Sequence, residues 1–97
     1  MTEIEKARLH ARIEGGVQGV GFRMFVLHAA LDLNLTGWVR NRWNGDVEVI
    51  AEGERQVLSK FLVELYQGPR AAFVSRIDEE WSDASGEFTG FHIQPTS

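Results

Sequence analysis

Residues 15–21 read GGVQGVG, four glycines within seven positions, and they stand between two stretches of opposite periodicity. Upstream, RLHARIE alternates Leu9, Ala11 and Ile13 with His10, Arg12 and Glu14, the pattern of a half-buried strand. Downstream, FRMFVLHAALDLN from Phe22 to Asn34 contains neither Gly nor Pro. It repeats Phe22, Val26, Ala29 (or Ala30) and Leu33 at helical spacing. A strand that passes at once into a helix commits the chain to a layered fold, sheet on one side and helix on the other. Glycines let successive N–H groups turn to one side, and the first turn of the helix adds unpaired donors and a positive end. Arg23 follows with a forked donor. Together these describe a pocket for a small dianion such as a phosphoryl group.

The rest of the chain supplies the other layers. TGWVRNRWNGDVEVIAEG reads as two strands around Asn44-Gly45. A two-residue turn would set Arg40 opposite Val49 and mix charge into the apolar row. A three-residue turn, Trp43-Asn44-Gly45 with a left-handed Gly45, pairs Arg42 with Asp46, Asn41 with Val47, Arg40 with Glu48 and Val39 with Val49. The second register gathers Val39, Val47, Val49 and Ala51 on the core face, and it puts Asn41 at the end of that inward row. ERQVLSKFLVELYQ, residues 54–67, shows a helical face of Val57 (or Leu58), Phe61, Leu62 and Leu65, ended by Gly68-Pro69. Ala71 to Trp81 reads as a strand with Phe73, Val74, Ile77 and Trp81 inward and a bulge where the alternation slips. A polar loop then leads to a last strand over Phe88 to Gln94. The order βαββαβ, with a short strand to spare in the middle or at the end, predicts an α+β ferredoxin-like two-layer sandwich. Its antiparallel sheet carries both helices on one face. A single domain over 1–97 is expected, with 1–7 frayed.

Composition narrows the chemistry. The absence of cysteine excludes disulfides, thiolate-held zinc, iron–sulfur clusters and a thiol nucleophile. No apolar run approaches the roughly 20 residues of a membrane span. MTEIEKARLH is too polar for a secretion or transit signal, so a cytoplasmic location without membrane partners is expected. A net charge of −4 disfavours nucleic acid but leaves room for one small anion. Known phosphate loops fail letter by letter. Gly16 and Gly21 have the Walker A separation, yet Phe22-Arg23 stands where Lys and Ser or Thr belong, and Met24 occupies the third position of GxGxxG. His10, His28 and His92 read as surface or partly buried residues, and Asp78-Glu79-Glu80 with Asp83 as a solvated acidic stretch rather than a metal site.

The stretch Gly15 to Arg23, GGVQGVGFR, resembles the signature of the acylphosphatases. Gly37-Trp38-Val39-Arg40-Asn41 with Gly45-Asp46-Val47-Glu48 is similar to their second signature. Gly68-Pro69 and the closing Phe88 to Ile93 stand where that family has them, so the resemblance covers nearly the whole chain. It implies hydrolysis of small acyl phosphates to a carboxylate and inorganic phosphate without metal or cofactor. By the same resemblance the phosphate cradle is Gly16, Val17, Gln18, Gly19, Val20, Gly21, Phe22 and Arg23, able to take phosphate or sulfate. The resemblance also implies that Asn41 positions the attacking water; the size and mixed surface of the chain make a monomer the expectation. Three alternatives remain open. One is an RNA-recognition domain, although the open face offers His10, Arg12, Glu48 and Ile50 rather than stacking aromatics. The others are a module of a carbamoyl-phosphate-using maturation factor and an anion trap without turnover.

Overall fold

The computed structural model describes residues 5–97. Five strands and two helices follow one another as β1 (Lys6–Gly16), α1 (Phe22–Asp32), β2 (Thr36–Asn41), β3 (Val47–Glu54), α2 (Arg55–Gln67), β4 (Phe73–Asp83) and β5 (Phe91–Ile93). The strands form one sheet in the order β4-β1-β3-β2-β5. This is the ferredoxin-like sandwich, its extra strand the short β5. Of the segment expected to fray, residues 1–4 lie outside the described residues. Lys6 and Ala7 are in strand, opposite Glu54 and Gly53.

The alternation in β1 does what a period of two requires. Leu9, Ala11 and Ile13 are fully buried beneath the helices. They meet Val26, Ala29 and Ala30 of α1 and Leu58, Phe61 and Leu65 of α2 in one core. The β2–β3 register is that of the three-residue turn, with Asn41 opposite Val47, Arg40 opposite Glu48 and Val39 opposite Val49. The Gly45 N–H closes the turn on the Arg42 carbonyl at 3.1 Å, with Gly45 at φ 99°.

Three expectations need correction. The sheet is mixed rather than antiparallel, because β5 runs parallel to β2. The reason is topological. β4 ends with Asp83 beside Ala7, at the same end of the sheet as Gly53, Ala51 and Gly37. The chain crosses at that end and enters beside Gly37, so β5 must run in the direction of β2. The last strand is also shorter than Phe88 to Gln94, since Phe88 belongs to the crossing and lies under the Arg8 guanidinium, 5.2 Å from its ring centre. Finally, Phe73 faces outward and is 68% exposed. Glu14 pairs with Arg76 and Gly15 with Val74, leaving Ser75 as the extra residue of a bulge. The bulge reverses the faces beyond it: Val74 takes the inward place against the core and Phe73 turns out. Gly15 makes this approach possible, since a Cβ there would collide with the Phe73 carbonyl oxygen.

Candidate active site

The strand register decides what meets at the far end of the sheet. Ile13 of β1, Val47 of β3 and Asn41 of β2 lie in one row across three adjacent strands. β1 runs three residues past that row before the glycine loop begins, so the loop and the start of α1 rise beside the end of β2. The result is a cavity of about 260 Å³ lined by Val17, Gly19, Gly21, Phe22, Arg23, Met24, Asn41 and Ile93.

The loop is anchored by its apolar residues and open at its glycines. Val17 and Phe22 are each 1% exposed and belong to the core. Between them Gly19 and Gly21 take φ of 72° and 78°, and a Cβ at either would meet nothing within 4 Å. Gly21 is the residue that caps α1, in the left-handed conformation and with no side chain closing the helix start. No acidic residue occupies the first turn. Among the described residues, no peptide N–H from Val17 to Met24 donates to a protein acceptor. Free donors at a helix N-terminus are of the kind that suits an anion. Arg23 stands at its edge and makes no ion pair among the described residues, so its guanidinium is uncommitted.

Asn41 closes the other side. Its Oδ1 is buried, and it is the one such side-chain oxygen or nitrogen without a partner among the described residues. An orphaned buried acceptor costs stability unless something donates to it, and Asn41 belongs to the lining of a cavity large enough for water. The backbone of Asn41 is by contrast well held, its carbonyl accepting from the Ser97 N–H at 3.1 Å.

The cavity therefore brings together Val17, Gly19, Gly21, Phe22, Arg23 and Asn41. Gly16, Gln18 and Val20 do not line it: Gly16 pairs with Phe73 in the sheet, Val20 packs against the core, and Gln18 directs its side chain elsewhere. The Gln18 Nε2 donates to the carbonyls of Arg42 at 2.7 Å and Asp46 at 2.9 Å. Sequence reasoning takes Gln18 only as a peptide N–H, although its position as the sole polar side chain between the glycines is a usable signal. It misses Met24 and Ile93 as well. Met24 is readable from its place beside Arg23, whereas Ile93 reaches the site only because β5 lies next to β2.

On the face of the sheet away from the helices, Glu48 is 5% exposed. It accepts from Arg40 Nε at 2.9 Å, Arg42 Nη1 at 2.8 Å and His10 Nε2 at 2.6 Å. Burial pushes its carboxyl pKa up, but these donors outweigh that and hold it at about 2. The expected Arg42–Asp46 side-chain pair is replaced by this one. Asp46 instead accepts from the Asn44 side-chain amide at 3.2 Å.

Comparison with known proteins gives the family. The chain matches the Acylphosphatase family model over residues 9–93. It is 47% identical over 90 residues to the acylphosphatase of Pelotomaculum thermopropionicum, a match that spans 93% of this chain and 98% of that protein. Among solved structures, the acylphosphatase from Bacillus subtilis superposes with a TM-score of 0.88 at 35% identity, over 91% of this chain and 98% of that one. Full-length HypF in its phosphate- and nucleotide-bound form also superposes, with a TM-score of 0.87 at 28% identity, covering 98% of this chain but 13% of HypF. The fold, the loop and near full-length similarity to relatives of about the same length converge: the chain belongs to the acylphosphatase family.

Proposed function

We propose that this chain hydrolyses small acyl phosphates by positioning and charge stabilisation alone, with the phosphoryl group in the glycine-loop cradle and the water on Asn41. The single observation that carries this reading is the cavity lined together by the glycine loop with its unspent N–H donors, by Arg23 and by Asn41, whose carboxamide oxygen has no partner among the described residues.

The chemistry asks for little more. An acyl phosphate is an activated anhydride whose leaving group is a carboxylate, so neither a strong base nor a metal ion is required. Arg23 and the amides of residues 17–22 hold the phosphoryl oxygens and take up the charge that grows on them in the transition state. The Asn41 Oδ1 accepts one O–H of a water, which turns a water lone pair toward phosphorus in line with the scissile bond. The water oxygen bonds to phosphorus, the P–O bond to the acyl group breaks, and its electron pair leaves on the carboxylate. The water's proton passes to solvent or to the phosphate product. Inorganic phosphate and sulfate, having the same oxygen array, compete for the cradle. The site is completed by residues of one chain, which supports a monomer. A net charge of −4 and the lack of cysteine support a cytoplasmic setting without nucleic acid.

Phosphate release from benzoyl phosphate in excess chelator is the test. Wild-type turnover is expected, with Arg23→Ala and Asn41→Ala each slower by about 10²–10³-fold. Wild-type release no greater than that of Arg23→Ala would favour an anion trap. Full turnover by Asn41→Ala would remove the water-positioning role.

A further inference from the structure

The geometry points to the Gln18 side chain as the positioning residue that fixes the phosphate cradle relative to Asn41, an inference that rests on the function proposed above. In-line attack needs two independent parts, loop and strand end, at a set separation. The loop cannot supply that by itself, because its glycines leave the backbone many conformations. Between residues 17–21 and the β2–β3 turn, the two bonds from the Gln18 amide are the only hydrogen bonds among the described residues.

Their placement suits the task. Both N–H donors of the amide are used, one on the carbonyl of Arg42, which directly follows Asn41, and the other on that of Asp46. The same two carbonyls close the turn, accepting from Gly45 at 3.1 Å and from Arg42 at 2.8 Å. Gln18 thus binds the turn at its two structural acceptors rather than at a mobile side chain. In the chain it lies between Val17 and Gly19, which both line the cavity. Holding Gln18 holds both walls at one distance.

The test separates this role from a general loss of stability. Gln18→Met keeps length and apolar stem but removes both donors. Its kcat on benzoyl phosphate is expected to fall by about 10- to 10²-fold, the cost of a misplacement near 1 Å, with KM moving less than about threefold. If Gln18 acts through Asn41, the same change made in Asn41→Ala should cost less than about twofold more. Gln18→Glu adds a pH signature. Its carboxylate faces two carbonyl oxygens, so it should be the slowest variant near pH 7.5. It should recover relative to wild type by at least about fivefold near pH 5, where a protonated carboxyl donates one of the two bonds.

A Gln18→Met kcat within twofold of wild type, an undiminished cost in the Asn41→Ala background, or a flat wild-type to Gln18→Glu ratio across pH would each overturn the proposal. Circular dichroism at each pH establishes folding. If one variant unfolds, the other decides. If both unfold, the proposal fails, since a positioning tie alone would not carry the fold. Failure of the underlying function would look different, as an inactive wild type or a fully active Asn41→Ala.

Discussion

Asn41 and Glu48 lie on adjoining strands, one register step apart, yet their polar atoms live under opposite rules. Glu48 and its neighbour along the same face, Glu52, are buried and saturated. Glu52 accepts from Arg8 Nε at 2.7 Å, the Gly86 N–H at 2.9 Å, and the Ser85 N–H and hydroxyl at 3.0 and 2.9 Å. Asn41 Oδ1 is buried and has nothing among the described residues. Buried polar groups are nearly always paired, so the open one is informative. The outer face uses its electrostatics to hold strands and the 84–90 crossing together. The cavity end leaves its donors and its acceptor unpaired among the described residues.

The contrast can be broken from either side. Removing the open side should have the largest effect: Arg23→Ala is expected to lose about 10²–10³-fold in kcat/KM, together with inhibition by phosphate. Asn41→Ala should show a comparable loss of turnover while its unfolding free energy in urea stays within about 0.5 kcal/mol of wild type or rises, because an unpartnered acceptor is removed. Removing the saturated side should do the reverse. Glu48→Ala leaves Arg40, Arg42 and His10 converging on nothing, and a stability loss of about 2–4 kcal/mol by urea unfolding is expected, reduced by the partial exposure of the arginines. Its kcat per folded molecule should change less than about twofold, even though Arg42 directly follows Asn41.

Acid should then act on the saturated side. Glu48 and Glu52 are both held at about 2, burial being outweighed at Glu52 by the Ser85 N–H, Arg8, the Gly86 N–H and the Ser85 hydroxyl. A carboxyl whose folded pKa lies below its ordinary value contributes stability that is complete above about pH 4.5. That stability disappears as pH falls toward about 2, since the unfolded chain takes the proton first. A loss of about 1–2 kcal/mol for each carboxylate across that window is expected in the unfolding free energy from urea titrations, after discounting for solvent near their partners. The smallest effect belongs to a pair that is short but exposed. Arg76 lies 2.6 Å from Asp78 with 67% and 39% of the two side chains open to solvent. Arg76→Ala should cost less than about 0.5 kcal/mol.

The inward row and the turn are legible in the sequence because period-two alternation and the Trp43-Asn44-Gly45 turn admit one register that keeps charge out of the core. Counting along that register is enough to put Asn41 at its strand end. What the letters do not carry are facts that need two distant segments at once. The bulge is readable as a slip, but its site at Ser75 depends on pairing with β1, and alternation alone therefore puts Phe73 on the wrong face. The direction of β5 depends on where β4 ends across the sheet. The clustering of Arg42 with Arg40 on Glu48 depends on side-chain reach rather than on backbone register. At the site, the glycine loop and Arg23 are one contiguous stretch and so are readable, whereas Ile93 and the Gln18 amide act across the fold.

The irregular pairing at Ser75 has a consequence beyond the face of Phe73. β4 is an outer strand of the sheet, and outer strands with regular unpaired backbone invite the strands of other molecules. A locally twisted edge flanked by Arg76, Asp78, Glu79 and Glu80 makes a poor template for such growth, and the opposite edge, β5, spans only Phe91–Ile93. Crowded solutions of this protein should therefore resist fibril-like stacking even though an aromatic ring lies bare beside the bulge.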